Sequence, residues 1–347
     1  MRLQNIRYMC KQVDIESLKH QLLGNKKITI VTHHNPDGDA IGSSLALRQH
    51  LTQMGHQVSC IIPNLFPEFL AWMPGTDQII NAEKHLRTAR KHLSECDILF
   101  VVDMNGAHRS GEKLAENITK SPAYKIHIDH HIDPQFPCNF CFSETNTTST
   151  CEMVYRFIKE YLGNIEILSK ETAECIYTGI ITDTGSLSYS CNNPITYEIL
   201  QHLISLGVDA EQIHRQVYDN YNISRLTLLG TALNNLKVME DYETSYMFLS
   251  QQNLIDNNFQ QGDTEGFVNY GLSIKCAKFT AFFTDRKDRI RVSFRSKGKF
   301  DVSKFAAEYF NGGGHRNAAA GNYYKSLEET IKYFEEIVHN HPELRKK

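Results

Sequence analysis
No run in this 347-residue sequence approaches the roughly 18 consecutive apolar residues that a membrane-spanning helix needs. Net charge is also scarce. Thirty-seven lysines and arginines against 40 aspartates and glutamates leave −3, so the molecule as a whole is not a polyanion-binding surface. Internal repeats and low-complexity segments are absent, which excludes solenoids and fibrous arrays. The N-terminal stretch MRLQNIRYMCKQVDIESLKHQLLGN carries charges throughout and lacks the apolar core of a signal peptide. The expectation is a cytoplasmic protein with no membrane partner. Nine scattered cysteines, an odd number, argue for reduced thiols rather than a disulfide framework. Cys138 and Cys141 form one C-x2-C pair, but a structural zinc site would want a second ligand pair nearby. They read as two half-buried thiols in a loop.

What the sequence does have is an alternation of short apolar runs and amphipathic stretches. Ile28–Val31, Gln57–Ile62, Ile98–Val102 and Lys125–Ile128 read as strands; Ala40–Met54, Thr148–Tyr161 and Lys170–Ile181 read as helices. This order predicts an α/β fold whose N-terminal domain, 1–193, is a mostly parallel sheet with helices on both faces. From Pro194 to Met239 the pattern turns helical, with Ile199, Leu200, Leu203, Ile204 and Leu206 on one predicted helix. That stretch, 194–239, reads as a helical linker. A smaller C-terminal α/β domain, 240–347, then carries predicted strands at Ser245–Leu249, Ile274–Phe283 and Arg289–Phe294 and a closing helix near Ser326–His339.

The chemistry-bearing residues cluster just after the predicted strands. THHNPDGDAIGS (Thr32–Ser43) holds His33, Asp37 and Asp39 in an H-x3-D-x-D spacing. Asp103 follows FVV, Asp129-His130-His131 follows KIHI, and Asp183 sits in TGIITDTGS. In an open parallel sheet, ligands bind beyond the carboxyl ends of the strands. Taken singly, each motif has a bland reading as a turn, a helix end or a surface pair. Together they would bury many carboxylates at high cost unless cations compensate. Four carboxylates and two imidazoles suit a pair of divalent metals, and the mixed oxygen and nitrogen donors favour manganese over magnesium, with cobalt or zinc as alternatives.

In their order and spacing, His33-x3-Asp37-x-Asp39, Asp103, Asp129-His130-His131 and Asp183 resemble the four motifs of the DHH phosphoesterase superfamily. FNGGGHRNAAAG (Phe310–Gly321) resembles the glycine-rich motif of the DHH-associated substrate domain. Within the superfamily the chain is most similar to the NrnA-type subgroup. The resemblance implies a two-metal enzyme that degrades short oligonucleotides of two to five residues, dinucleotides included, to 5′-mononucleotides and dephosphorylates pAp. It implies that His33, Asp37 and Asp103 hold one manganese and that Asp39, Asp103, His130 and Asp183 hold the other, Asp103 bridging. Asp129 would orient a histidine, His131 would face the scissile phosphate, and Arg109 would be aimed at phosphate. His34 has no such role by its spacing. A homodimer through the first domain is a further implication.

The second domain has its own logic. Lys275–Lys299 carries nine basic residues against two acids. Arg295 and Ser296 fall at a strand end, where they would grip a nucleotide phosphate. Arg286, Lys287, Arg289 and Arg291 read as decoration of a solvated strand edge. Gly312, Gly313 and Gly314 would expose N–H groups for an anion, with His315 adding a side-chain donor. Alternatives within the same chemistry are a cyclic di-AMP or pApA phosphodiesterase, a RecJ-like exonuclease and an exopolyphosphatase-type hydrolase. An alternative of another class is a nucleotide-binding regulator without activity. Long-strand activity would want an extended basic groove with stacking aromatics, which this near-neutral composition does not suggest.

Overall fold
The computed structural model describes residues 15–346. Most of the charged N-terminal stretch noted above therefore lies outside the described residues. In chain order the first half contains α1 (Ile15–Gln21), β1 (Lys27–Val31), α2 (Gly38–Gln53), β2 (Gln57–Ile62), β3 (Ile80–Asn81), α3 (Leu86–Glu95), β4 (Ile98–Val102), α4 (Glu112–Lys120), β5 (Tyr124–Asp129), β6 (Phe140–Ser143), α5 (Thr150–Arg156), α6 (Lys170–Asp183), α7 (Pro194–Ser205) and α8 (Ala210–Tyr218). Its six strands form one parallel sheet in the order β3-β2-β1-β4-β5-β6.

Both faces of this sheet are covered, as the continuous apolar character of its strands requires. Along β4, Leu99 and Val101 pack with Ala89 and Leu93 of α3 and Leu114 and Ile118 of α4. The alternate residues Phe100 and Val102 pack with Ile41 and Leu45 of α2, Met153 of α5 and Ile176 and Ile180 of α6. The chain moves outward from β1 to β3 on one side, then returns to place β4 against the other flank of β1. Such a reversal opens a crevice beyond the carboxyl ends of β1 and β4. His33 and Asp103 follow those two strands directly.

The second half contains α9 (Ile223–Asn234), β7 (Lys237–Met239), β8 (Thr244–Leu249), α10 (Gln251–Asp256), α11 (Val268–Leu272), β9 (Phe279–Asp285), β10 (Ile290–Ser296), α12 (Val302–Tyr309), β11 (Gly313–His315), β12 (Ala318–Tyr323) and α13 (Leu327–Asn340). Its sheet runs β11-β12-β10-β9-β8-β7, with β8 parallel to β9 and the other pairs antiparallel. Phe279, Phe283, Phe294, Phe305, Phe310 and Phe334 fill its core, several of them in edge-to-face pairs.

Several details differ from the sequence-based expectation. The compact units divide between Asn220 and Tyr221, inside the stretch expected as a linker. Ile199, Leu203, Ile213 and Val217 of α7 and α8 belong to the first core. Leu228 and Ala232 of α9 pack with Met247 and Leu249 of β8 in the second. Ile204, expected on the apolar face of α7, is half exposed. Ile274 to Lys278 do not extend a strand; Ala277 N–H donates to the Ile274 carbonyl in a turn, and β9 starts at Phe279. Strand β6 has no counterpart in the sequence reading. It takes Cys141 out of the expected loop and buries it beside β5.

Helices α2, α5 and α6 pack closely, and two glycines permit it. A Cβ at Gly42 would lie 2.6 Å from the Cys175 carbonyl oxygen and 2.9 Å from Cys151 Sγ. One at Gly179 would overlap Cys151 Sγ. Gly42→Ala is therefore expected to destabilise the first unit by about 1–3 kcal/mol. Gly230→Ala, in the interior of α9 with nothing within 4 Å of the added methyl, is expected to stabilise the second by about 1 kcal/mol. Chemical denaturation of the two variants checks both signs.

Candidate metal centre
Each side chain of the first cluster is aimed by a specific local device. Asp37 is the N-cap of α2, its Oδ1 accepting from the N–H groups of Asp39 and Ala40 at 3.1 Å. His33 lies just past β1, and its Nδ1–H donates to the His34 carbonyl at 3.0 Å. That bond sets the tautomer and turns the Nε2 lone pair inward. Nε2 lies 3.3 Å from Asp103 Oδ2 and 3.8 Å from Asp37 Oδ1. The His34 ring has no place in this group; its main chain does the work.

Asp103 sits at the centre. It is 2% exposed and takes a left-handed backbone, φ 56°. That conformation is uncommon for a residue with a Cβ and concentrates at functional sites. Its Oδ1 accepts from Thr150 Oγ1 at 2.9 Å and lies 3.6 Å from His130 Nε2 and 3.7 Å from His131 Nδ1. Asp39 is held at the start of α5: Oδ2 accepts from Thr150 N–H at 2.7 Å and Oδ1 from Cys151 N–H at 2.8 Å. A helix N-terminus favours a carboxylate there. His130 Nε2 is 3.8 Å from Asp39 Oδ2 and 3.6 Å from Asp183 Oδ2. Asp183 is the last residue of α6, its side chain 30% exposed.

The donor atoms of His33, Asp37 and Asp103 lie within 4.8 Å of one another, as do those of Asp39, Asp103 and His130. Each group can hold a metal ion, and Asp103 belongs to both. A third group joins Asp103, Asp129 and His131. Within it the His131 Nδ1–H donates to Asp129 Oδ1 at 2.7 Å. Asp129 is fully buried and its Oδ2 has no hydrogen-bond partner. Arg109 is half-buried in the turn after β4, and its charge reaches His131, where it opposes protonation.

The electrostatics show what the cluster lacks. Burial, then Asp103, Asp183 and Asp37, push the Asp39 carboxyl well above the usual range. Burial and the carboxylates of Asp37 and Asp103 raise Asp183 to about 6, against the pull of His130. Burial disfavours charge on His33 too, yet Asp103 and Asp37 hold its imidazole up at about 10. Asp103 moves the other way, since His33, His131 and His130 overcome its burial. Protons and imidazolium charge thus stand in for positive charge that the carboxylates demand. The donor set fits divalent cations on this ground, independent of any resemblance.

The second unit holds the remaining candidates. Arg295 lies on β10 and its Nη1–H donates to the Phe294 carbonyl at 2.9 Å. Ser296, expected beside it as a phosphate contact, points into the fold instead. Its Oγ donates to the Phe300 carbonyl at 2.7 Å and accepts from Asn317 Nδ2 at 2.8 Å, because β10 ends where that turn must be pinned. Gly313, Gly314 and His315, expected to present N–H groups and a side-chain donor to an anion, form the short strand β11 paired with β12. Gly312 N–H donates to Ala306 O at 3.0 Å and so is taken. Gly314, at φ 147°, would put a Cβ 2.6 Å from the Ala318 carbonyl oxygen; close strand pairing explains this glycine. His315 is half-buried on the same short strand.

Comparison with known proteins agrees with this reading. Residues 27–180 match the DHH family, N-terminal domain, and residues 240–340 match the DHHA1 domain. The chain belongs to the DHH family of phosphoesterases. This DHH protein is 26% identical to the probable bifunctional oligoribonuclease and PAP phosphatase NrnA of Streptococcus mutans over 89% of its own length and 93% of that protein's. It is 25% identical to the bifunctional oligoribonuclease and PAP phosphatase NrnA of Bacillus subtilis over 85% and 90%. Its fold matches the crystal structure of an exopolyphosphatase-related protein from Bacteroides fragilis at 41% identity, with a TM-score of 0.90, covering 94% of this chain and 95% of that one.

The residues that sequence reasoning passed over in this DHH domain are those behind the cluster. Thr150 serves both Asp39 and Asp103, and Cys151 serves Asp39 through its N–H. The available signal was the hydroxyl-rich run TNTTST before α5, with Ser149 capping Glu152 N–H. Glu152 itself is buried, its Oε2 accepting from Thr148 and Thr196 hydroxyls at 2.6 and 2.8 Å. Thr150→Val keeps the backbone N–H and removes only the hydroxyl on Asp103. It is expected to lower divalent-metal affinity about 10–100-fold without loss of fold, read by calorimetric titration with manganese.

Proposed function
We propose that this protein is a manganese-dependent phosphoesterase that cleaves short oligonucleotides to 5′-mononucleotides and removes a phosphate from pAp. The observation that carries the reading is the shared carboxylate: Asp103 lies in donor reach of His33 and Asp37 on one side and of Asp39 and His130 on the other. His33, Asp37 and Asp103 would hold one ion, and Asp39, Asp103, His130 and Asp183 the other. Mixed oxygen and nitrogen donors suit manganese. When bound, such ions supply Lewis acidity toward a phosphoryl group and make a water acidic near neutral pH.

The chain's own residues supply the rest. The His131 imidazole is fixed by Asp129 through Nδ1, and Nε2 is the atom proposed to meet a phosphoryl or leaving oxygen, as a donor when the ring is protonated. Burial lowers its proton affinity, but Asp129 and Asp103 raise it above the ordinary histidine value, which favours the protonated ring. Arg109 adds positive charge beside it. Arg295 and His315 of the DHHA1 domain are the proposed contacts to the rest of a nucleotide. Likeness to the two NrnA proteins over nearly their full length supports this substrate class.

Asp103→Ala is expected to abolish manganese-dependent turnover. His131→Ala is expected to keep near-normal metal content while lowering kcat about 10²–10⁴-fold. The substrate assignment is checked by turnover of pApA, pGpG, pAp, cyclic di-AMP, oligonucleotides of two to twelve residues and inorganic polyphosphate. Preference for the linear dinucleotides and pAp is expected. Preference for cyclic di-AMP or polyphosphate would overturn it.

A further inference from the structure
A second cluster of metal-type donors lies on β5 and β6 and takes no part in the proposed chemistry. The register of these strands sets His127 opposite Cys141. Cys141 Sγ is 3.8 Å from His127 Nδ1. Cys138 joins them, with the three donor atoms within 4.8 Å of one another. A tetrahedral zinc ion at its usual bond lengths spreads a sulfur and a nitrogen ligand about 3.5 Å apart and two sulfurs slightly farther. The cluster already has nearly that spacing.

Three further features make the group a built site. His127 Nε2–H donates to the Met104 carbonyl at 2.8 Å, which leaves the lone pair on Nδ1, the atom facing the sulfur. A carbonyl behind a ligating imidazole is the usual way its tautomer is fixed. Between the two cysteines, Asn139 is bracketed against β5: its N–H donates to Lys125 O at 2.9 Å and its Oδ1 accepts from Lys125 N–H at 2.8 Å. That bracket fixes the reach of Cys138 relative to Cys141. Finally, His127 and Cys141 are buried, whereas Cys138 is partly open to solvent. An ion can enter, and a solvent molecule can complete the tetrahedron.

We propose that His127 Nδ1, Cys138 Sγ and Cys141 Sγ form a thiophilic metal site, filled by zinc, apart from the carboxylate–imidazole centre. Binding forms two zinc–sulfur bonds and one zinc–nitrogen bond and releases the two thiol protons to solvent. Two thiolates balance a divalent ion, so the filled site carries no net charge into the interior. In its absence the Cys141 S–H donates to His127 Nδ1. The ion would tie Cys138, at the end of the segment that follows His131, to β5 and β6.

Cobalt separates the two sites, because only thiolate ligands give a near-ultraviolet thiolate-to-cobalt charge-transfer band. The full-length protein, reduced and stripped of metal, is titrated with cobalt. The expected result is a saturable band with the intensity of one thiolate-ligated cobalt per chain, kept in Asp103→Ala and lost in Cys138→Ser. Zinc should also shield Cys138 and Cys141 of the unmodified protein from alkylation, read residue by residue by mass spectrometry, which needs no variant to fold. Absence of the band with reduced thiols would overturn the proposal. So would a band unchanged in Cys138→Ser, or a Cys138–Cys141 disulfide whose reduction restores no zinc binding.

Discussion
Everything at the candidate metal centre is organised around one buried carboxylate. Asp103 leaves β4 at the point where the strand order reverses, and its left-handed backbone bends the carboxylate into the crevice rather than onward. There it meets His33 from the end of β1 and His130 and His131 from the end of β5. An ionised carboxylate at 2% exposure is tolerable only with charge or strong donors on several sides. Three imidazoles and the Thr150 hydroxyl supply them. Moving that carboxylate by an ångström would open both donor groups together, since its Oδ2 serves one and its Oδ1 the other.

The helices decide whether the remaining acids can reach. Asp39 is the second residue of α2, and its carboxylate spans to the first N–H groups of α5. That span requires α2 and α5 to approach within the thickness of a cysteine side chain, which is what Gly42, Gly179 and Cys151 allow. The same close packing with α6 brings its final residue, Asp183, to His130. The small residues of these helices therefore belong to the site's geometry as much as the acids do. A helix pair spaced by larger side chains would carry the same motif and fail to converge it.

This division explains what was legible in the sequence. Strands β1, β2, β4 and β5 announce themselves as apolar runs, and a parallel sheet sends their carboxyl ends to one edge. His33, Asp103 and Asp129–His131 could thus be grouped without coordinates. Asp37 was readable as a turn residue, though not as the helix cap it is. Thr150 was not readable, because a hydroxyl serves countless local roles and only the approach of α5 gives this one its target. Strand β6 was hidden for a related reason. Phe140-Cys141-Phe142-Ser143 is short, and it becomes a strand only because β5 offers an edge to pair with. In the second unit Ser296 looked like a ligand contact beside Arg295. Alternation along β10 sends neighbouring side chains to opposite faces, and Ser296 drew the buried one.

The period of two along β5 joins the two donor clusters physically. Ile126 and Ile128 turn to the core shared with α2, α5 and α6. His127 and Asp129 turn to the opposite face, and both are fully buried there. Polar residues are rare in such positions unless each has a partner. Asp129 Oδ1 has His131, while its unpaired Oδ2 lies 3.9 Å from His127 Nε2, whose hydrogen is committed to Met104. One strand face thus carries a chain of contacts from Cys141 through His127 and Asp129 to His131. The orientation of His131 depends on a carboxylate whose second oxygen borders the imidazole of the other cluster.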